Sequence, residues 1–553
     1  MSDTTAKPAE TGQRASVFAP FRHDAFRILW VATLASNLGG LVQSVGAGWM
    51  MTTLTDSHNM VALVQASTTL PIMIFSLAAG ALADSFDRRV IMLISQIGLA
   101  LVSLVLAALG FMGLLSPWLL LTFTFLIGCG TALFNPSWQA SMGDIVPRQD
   151  LPGAVTLNAM SFNMMRSVGP AVGGLIVATA GAAAAFTVNA VSYLPLIWAL
   201  ARWKPQRSAS SLPRERFGSA MWAGIRYMSM SPNLTTVLFR GFLFGFSAVC
   251  IVALLPSVAE DYVGGGALVY GTLLGSFGLG AIGGAALNAR VRARFRNEVI
   301  VRAASIVFAV SCIGLAASRD PLLSHLVLLP AGACWVLSVS LFNVSVQLSS
   351  PRWVVGRALS LYQTATFGGM AAGSWCWGTI ADASGPDWSL AFAGLVLLLC
   401  ALVGLRLPLP QFGSHDLNPL NTFNEPVLRL DLNPRSGPIM VMLDYQIDQA
   451  DIPLFLALMV DRRRIRRRDG ARQWVLLRDL ERPDVWIESY HVPTWVDYVR
   501  HNLRRTKADA ENIQALRAIH RGDSPPQVHR MIERQTVPVH EDLVLRDTPE
   551  VGA

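Results

Sequence analysis

Arg166 and Arg240 each fall inside a long apolar run, Arg166 near its middle and Arg240 about a third of the way in. A guanidinium at the centre of a bilayer costs at least about 2.5–3.5 kcal/mol, so such a residue must face a protein interior or a water-filled cavity. There it can hold an anionic group through two parallel hydrogen bonds. Arg240 is close enough to the end of its run for the charged head to reach the interface instead. Arg166 is not, and no Asp or Glu lies well inside any run to neutralise it. Asn37 and Gln43 with Ser44, Asn135 with Gln139, and Asn343 with Gln347 add polar groups to apolar surroundings, where each needs a helix, water or ligand as partner. These residues are the candidate lining of a substrate path, and for the repeat mates Asn135 with Gln139 and Asn343 with Gln347 a symmetric structural role is the competing reading. Trp49, Trp335, Trp375 and Trp377 can stack on an aromatic substrate or anchor helices at the interface, and anchoring is the reading for Trp49.

Other chemistries find little support. The six cysteines all sit in apolar segments and are spaced neither as a metal site nor as a disulfide framework. No glycine-rich phosphate loop occurs, which argues against ATP-driven transport. Catalytic residues, metals and cofactors are therefore not expected. His491, Trp495, Tyr498 and His501 cluster without metal-ligand spacing, and the basic run Arg462 to Arg468 reads as a solvated helix face. The net charge of +8 reflects topology rather than a nucleic-acid partner, because basic residues of the apolar region fall mostly between runs.

The elements that must position these groups are transmembrane helices. Of the 553 residues 52% are hydrophobic and 14% charged, and mean hydropathy is +0.43. Crossing a bilayer takes about 20 apolar residues, and twelve such spans are expected, near 26–50, 60–83, 90–112, 117–140, 153–180, 183–203, 234–256, 267–289, 298–318, 322–348, 358–380 and 388–407. One set of loops carries Arg88, Arg89, Arg148, Arg202, Lys204, Arg290, Arg292, Arg294, Arg296, Arg352 and Arg357, whereas the other carries Arg319. That asymmetry, with no signal-peptide core in Met1 to Val17, places both termini in the cytoplasm of a multi-pass inner-membrane protein.

The spans form two parallel halves. Leu133-Phe-Asn135-Pro-Ser137-Trp-Gln139 recurs 208 residues on as Leu341-Phe-Asn343-Val-Ser345-Val-Gln347, and Gly169 and Gly174 recur 204 residues on as Gly373 and Gly378. Gly80 and Asp84 have the mates Gly284 and Asn288. The expected boundaries are an N-terminal segment 1–25, a six-helix half 26–203, a basic linker 204–231 with an amphipathic stretch from Phe217 to Met230, a second half 232–407, a linker 408–437, a soluble unit 438–535 and a tail 536–553.

The loop Gly80-Ala-Leu-Ala-Asp84-Ser-Phe-Asp-Arg88-Arg89 resembles the span-two signature of the major facilitator superfamily, Gly-x-x-x-Asp-Arg-x-Gly-Arg-Arg, with Ser85 where a basic residue is usual and Asp87 where glycine is usual. The resemblance covers about residues 20–407. Gly80, Asp84, Arg88 and Arg89 are thereby implied to be a conformational latch at the inner side. Phe18-Ala-Pro-Phe21-Arg22, Phe26-Arg27-Ile-Leu-Trp30, Phe134-Asn135-Pro136 and Asn163-Met-Met-Arg166-Ser-Val-Gly169-Pro170 are similar to the enterobactin-exporter-like branch. Gly169-Pro170-Ala-Val-Gly173-Gly174 resembles the span-five antiporter signature, although Met165 stands where a further glycine is usual. Pro170 removes a backbone hydrogen bond and is expected to kink the helix, while Gly169, Gly173 and Gly174 allow close packing. The resemblance implies a secondary transporter exporting a siderophore or drug-like molecule by alternating access, with a proton as coupling ion. Import of a small metabolite, and a membrane-anchored enzyme or regulator acting through the tail, are the competing readings.

After Pro410 the periodicities predict strand 439–447, helix 452–467, strands 473–479 and 485–491, helices 494–505 and 508–520, and a strand near 528–532. That order is similar to ferredoxin-like antibiotic-biosynthesis-monooxygenase domains, which implies a homodimer contact through this domain.

Overall fold

A computed structural model describes residues 18–147, 149–204, 217–351, 353–411, 417, 420 and 422–533. The N-terminal segment to Val17, most of the basic linker, Arg148, Arg352 and the final tail lie outside the described residues, as does the side chain of Asp84. Among the described residues, twelve helices of 21 to 31 residues fall in two sets of six. The first set is α1 (Asp24–Leu54), α2 (His58–Ser85), α3 (Arg88–Phe111), α4 (Pro117–Ile145), α5 (Leu151–Ala180) and α6 (Ala182–Arg202). After the short amphipathic α7 (Phe217–Ser229) come α8 (Pro232–Val258), α9 (Gly266–Arg294), α10 (Asn297–Ala317), α11 (Pro321–Leu348), α12 (Val355–Ser384) and α13 (Pro386–Arg406). Ten of the twelve are long and apolar enough to cross a membrane by length and composition. The other two are the repeat mates α5 and α12, 30 residues each. Glycines and polar residues, Arg166 among them, fill much of their length.

The duplication inferred from sequence reappears in the backbone. Both ends of α12 lie 204 residues beyond those of α5, and the same offset relates α13 to α6. The corner between each pair is a glycine with positive φ, Gly181 at +81° and Gly385 at +96°. Residues with a Cβ are strained there, and glycine is not. Other helix starts follow ordinary capping: Ser57 and Ser116 accept from the amides of Met60 and Leu119, and Asp87 accepts from Arg89 N. In the first half, Phe26, Leu29, Met92, Phe134, Trp138 and Leu196 form a buried cluster joining α1, α3, α4 and α6.

Two compact units emerge. The first takes most of both helical sets. The second joins 218–237, 343–359 and the chain from 410 onward, so α7 and the chain leading into α12 belong with the soluble part. Within this second unit Arg226 Nε donates to Arg468 O at 3.2 Å, the Arg468 guanidinium lies 5.2 Å from the Tyr227 ring, and that of Arg504 lies 4.1 Å from the Trp353 ring.

The soluble part has β1 (Ile439–Gln446), α14 (Ile452–Asp469), β2 (Arg472–Arg478), β3 (Val485–Val492), α15 (Trp495–Leu503), α16 (Lys507–Ile519) and β4 (Val528–Ile532), matching the predicted order. The four strands pair antiparallel as β2-β3-β1-β4, the ferredoxin-like arrangement. A Thr506–Asp509 capping box starts α16. The basic run on α14 corrects the expectation of a solvated face. Arg462 and Arg466 are buried and pair with the fully buried Glu488 of β3, and Arg468 meets Asp509 with both carboxylate oxygens at 3.0 Å. Residues i and i+4 share one helix face, and that face is the inward one.

Glu488 also accepts from Trp474 Nε1 at 3.0 Å and Tyr445 Oη at 3.2 Å. Burial pushes its carboxyl up, but the Arg466 and Arg462 guanidinia more than reverse this and hold it well below the usual range. His501 is shifted down, chiefly by burial and then by Arg466, whose Nη1 donates to His501 Nε2 at 3.1 Å. A histidine held neutral in the fold contributes stability that is complete above its unfolded pKa of about 6.5 and is lost below it. The C-terminal domain should therefore resist urea unchanged from about pH 8 to 7 and weaken progressively below about 6.5, before Glu488 begins to protonate. His501→Gln should flatten that slope. Pulse proteolysis of the full chain across pH measures it, and an unchanged slope in His501→Gln would refute the assignment.

Candidate functional site

Arg166 projects from α5, half-buried, and its guanidinium lies 5.6 Å from the Trp335 ring of α11. It therefore spans from the first helical set to the second. No carboxylate pairs with it among the described residues. Trp335 belongs to a buried aromatic cluster with Phe244, Phe277, Phe308 and Phe342, contributed by α8 to α11. A cation over an indole face gains about 0.5–2 kcal/mol, but the hydrogen-bonding edge of Arg166 is left without an anion among the described residues.

Two close approaches of helices flank this point. A Cβ on Gly174 would come within 2.7 Å of Gly271 Cα on α9, so α5 and α9 touch backbone to backbone. Gly169 and Gly173 pack instead on Leu41, Val42 and Val45 of α1. The helix runs unbroken through Pro170. The span-five glycines thus serve two interfaces, one within the first half and one between halves. The second contact between halves runs along α2 and α12. There Ser76 Oγ lies 2.8 Å from Thr364 Oγ1, and Gly378 faces Asn59 and Ala62. At the end of the bundle carrying the α2 start, Ser57 Oγ and the Asn59 amide donate to Asp382 of α12 at 2.8 and 3.0 Å. This carboxylate from the second half, just past the end of the expected span 358–380, caps the positive end of a first-half helix.

At the opposite end the signature loop is tied down by its arginines. Arg88 Nη1 donates to Asp144 Oδ2 at 3.0 Å and to Ala140 O at 2.9 Å on α4, and Arg88 Nε donates to Ala83 O at 3.1 Å. Arg89 donates to Leu200 O and Ala201 O at 2.8 and 2.6 Å, closing the C-terminus of α6. Gly80 faces Ser360 of α12. Asp144, absent from the sequence reading, is the acid that Arg88 meets.

The remaining candidates separate by environment. Gln43 is buried, and its Oε1 accepts from Asn189 Nδ2 and, at 3.0 Å, from Ser103 Oγ. Asn189 Nδ2 also donates to Tyr193 Oη at 3.1 Å, so Gln43 closes a network across α1, α3 and α6 rather than facing a path. Asn37 is half-buried; Asn135 and Gln139 are exposed one turn apart on α4. Gln347 Nε2 donates to Asn343 Oδ1 at 2.6 Å. Arg240 does not offer its fork to solvent. It is 4% exposed, pairs with Glu298 in the first turn of α10, and donates to Leu407 O at 3.3 Å. Leu409 N donates to the same carboxylate at 3.0 Å. Among the tryptophans, Trp377 Nε1 donates to Phe246 O at 2.7 Å and Trp49 stacks on Tyr270, whereas Trp375 is exposed.

Residues 15–536 match the family described as transmembrane secretion effector. The chain belongs to that family of major facilitator transporters. It is similar to the uncharacterised MFS-type transporter YfiS of Bacillus subtilis, at 24% identity over 62% of this chain and 83% of the relative. It is also similar to the enterobactin exporter EntS of Escherichia coli, at 26% over 69% and 93%, and to the staphyloferrin A transporter of Staphylococcus aureus, at 27% over 41% and 65%. Among solved structures, a bacterial homologue of the human lysosomal transporter Spinster in an inward-facing, occupied conformation superposes with a TM-score of 0.56 over 70% of this chain and 97% of that one, at 14% identity. A POT family transporter bound to 5-aminolevulinic acid gives 0.57, with 69% and 96% covered at 12% identity. The protein is thus a multi-pass membrane transporter with a small-molecule substrate, and the bilayer is its solvent.

The transporter's pair at Arg240 makes a sharp structural test. A Cβ on Gly404 would collide with Glu298 Oε1 and stand 2.9 Å from Arg240 Nη2. Gly404→Ala should force the pair apart, and breaking a buried ion pair costs about 3–5 kcal/mol. Its thermal unfolding in detergent should occur several degrees below that of the parent, while Gly143→Ala, where a Cβ meets open space, should be neutral. Equal unfolding temperatures would show that the pair tolerates displacement.

Proposed function

We propose that this transporter exports a small organic anion, of siderophore or drug-like size, by alternating access driven by an ion gradient, with the proton as coupling ion. The observation that carries this reading is Arg166, a cation between the two helical sets, stacked on Trp335 and lacking a carboxylate partner among the described residues. Parallel-repeat transporters bind substrate near the midplane at the repeat interface, and a guanidinium there favours a carboxylate or other planar anion. Export is supported by the Gly169-Pro170 segment and by the similarity to EntS. Asn135 and Gln139 on α4 and Asn37 on α1 supply neutral polar contacts along the path.

In this reading the Arg88–Asp144 end is cytoplasmic, together with both termini, and the Asp382 end faces outward. Asp84 with Arg88 and Arg89 latches the inner side, and Asp382 with Ser57 and Asn59 closes the outer side. The two halves rock between these contacts. The edge strands β2 and β4 of the soluble domain offer a surface for pairing with a second copy.

Transport of paired anionic and neutral substrates tests the role of Arg166. Arg166→Gln should reduce export of anionic substrates about ten- to hundredfold, since a hydrogen bond to a charged group is worth about 1.5–3 kcal/mol. Arg166→Lys keeps the charge but loses the fork, and should fall between Gln and the parent. Neutral substrates should lose far less. Equal losses for both classes, with reduced membrane levels of both variants, would make Arg166 a strut between helices and overturn the reading.

A further inference from the structure

The C-terminal domain holds a cavity of about 380 Å³ between its sheet and α14–α16, lined on one side by Leu420, Thr422, Phe423 and Asn424. Five arginines line it: Arg462, Arg466, Arg505, Arg517 and Arg530. No carboxylate lies among its described lining residues. Arg462 and Arg466 share the single buried acid Glu488 behind the cavity wall. The other available partners are neutral: Arg505 donates to Asn502 Oδ1, and Arg530 Nε to Tyr498 Oη at 2.6 Å. Arg466 is 98% buried, yet its Nη2 has no hydrogen-bond partner among the described residues. A buried donor, and a charged one above all, is costly to leave unmade. Burial, with Arg466 close by, pushes the Arg505 guanidinium down to about 10, as expected where positive charges converge without enough negative charge.

The rest of the wall is aromatic and apolar. Tyr445, Tyr490 and Tyr498 face the cavity, with Phe423 and Leu516. The Arg466 guanidinium lies 4.4 Å from the Tyr490 ring, and with Nε on Glu488 and Nη1 on His501 its unpartnered donor is Nη2. Cavities of about 150 Å³ hold benzene, so this one accommodates a ring with a charged substituent.

We propose that this cavity is a second ligand site, separate from the transport path, for a small aromatic carboxylate. Arg466 and Arg505 hold the carboxylate, the tyrosines and Phe423 hold the ring, and Arg517 and Arg530 attract the anion at the rim. A carboxylate accepts from Arg466 Nη2 and from the Arg505 guanidinium together, and the aromatic wall selects a flat body over a compact anion. The site needs nothing from Arg166, so it stands or falls apart from the transport reading.

Calorimetric titration of the detergent-purified full chain with salicylate tests it, with benzyl alcohol and inorganic phosphate as controls. Salicylate should bind once per chain, benzyl alcohol and phosphate should not, and Arg166→Gln should bind salicylate as the parent does. Arg505→Gln, which leaves the Glu488 pairs intact, should weaken binding about tenfold or more. Arg517→Gln, at an exposed position where folding is not at stake, should weaken it about threefold. Absence of binding to the parent, unchanged affinity in both cavity variants, or phosphate binding as tight as salicylate would each overturn the proposal. Loss of salicylate binding in Arg166→Gln would place the ligand in the transport path and overturn it equally.

Discussion

A guanidinium removed from water must be matched by a carboxylate, a π face or a ligand, and this requirement orders the interior. Where the match is complete the arginine is structural. Arg240 and Glu298, with the chain at Leu407 and Leu409 closing around them, fasten α8, α10 and the end of α13. Where the match is partial the arginine becomes available. Arg166 has the face of Trp335 but no acid among the described residues, and Arg466 has one acid that it shares with Arg462. In low dielectric the difference is large, since the attraction that repays desolvation depends on geometry and on satisfying every remaining donor.

The same accounting separates the two compact units. In the helical unit, packing rests on small residues that bring backbones together, as at Gly174 and Gly271, because lipid offers little hydrophobic drive for helices to associate. In the unit that holds the soluble domain, the hydrophobic effect operates fully, and Ile439, Val441, Phe455 and Tyr490 bury a continuous core. Arg226, Tyr227 and Trp353 belong to this second unit through contacts with Arg468 and Arg504. The chain leading into α12 is thus packed by soluble-domain residues, although in sequence it joins two membrane helices.

Much was legible from residues alone. Ten of the twelve long helices follow from apolar length, the repeat follows from recurring glycines and the Phe-Asn dipeptides, and the order of strands and helices in the soluble domain was legible from the chain. Arg88 and Arg89 stand out in the loop pattern, whereas Asp144, the acid that Arg88 meets, does not, because an isolated acid near a helix end carries no periodic signal. The solvated reading of Arg462 to Arg468 failed on a signal that was present. Glu488 alternates with Trp486 and Tyr490 on β3 and so had to point inward. A buried acid calls for buried cations, and Arg462 and Arg466, one turn apart, are the pair that α14 can supply.

The sequence by itself determined where the long helices fall, that they repeat in parallel, and which chain order the soluble domain takes. These depend on composition and period, which are local properties. Only the tertiary structure decided the partners of each polar group: that Arg240 is spent on Glu298, that Gln43 closes a network with Ser103 and Asn189, that Asp382 caps α2 across the halves, and that Arg166 meets Trp335. Hydrogen bonds and ion pairs act over about 3 Å between residues up to 325 positions apart. No period in the chain encodes which of them folding will bring together.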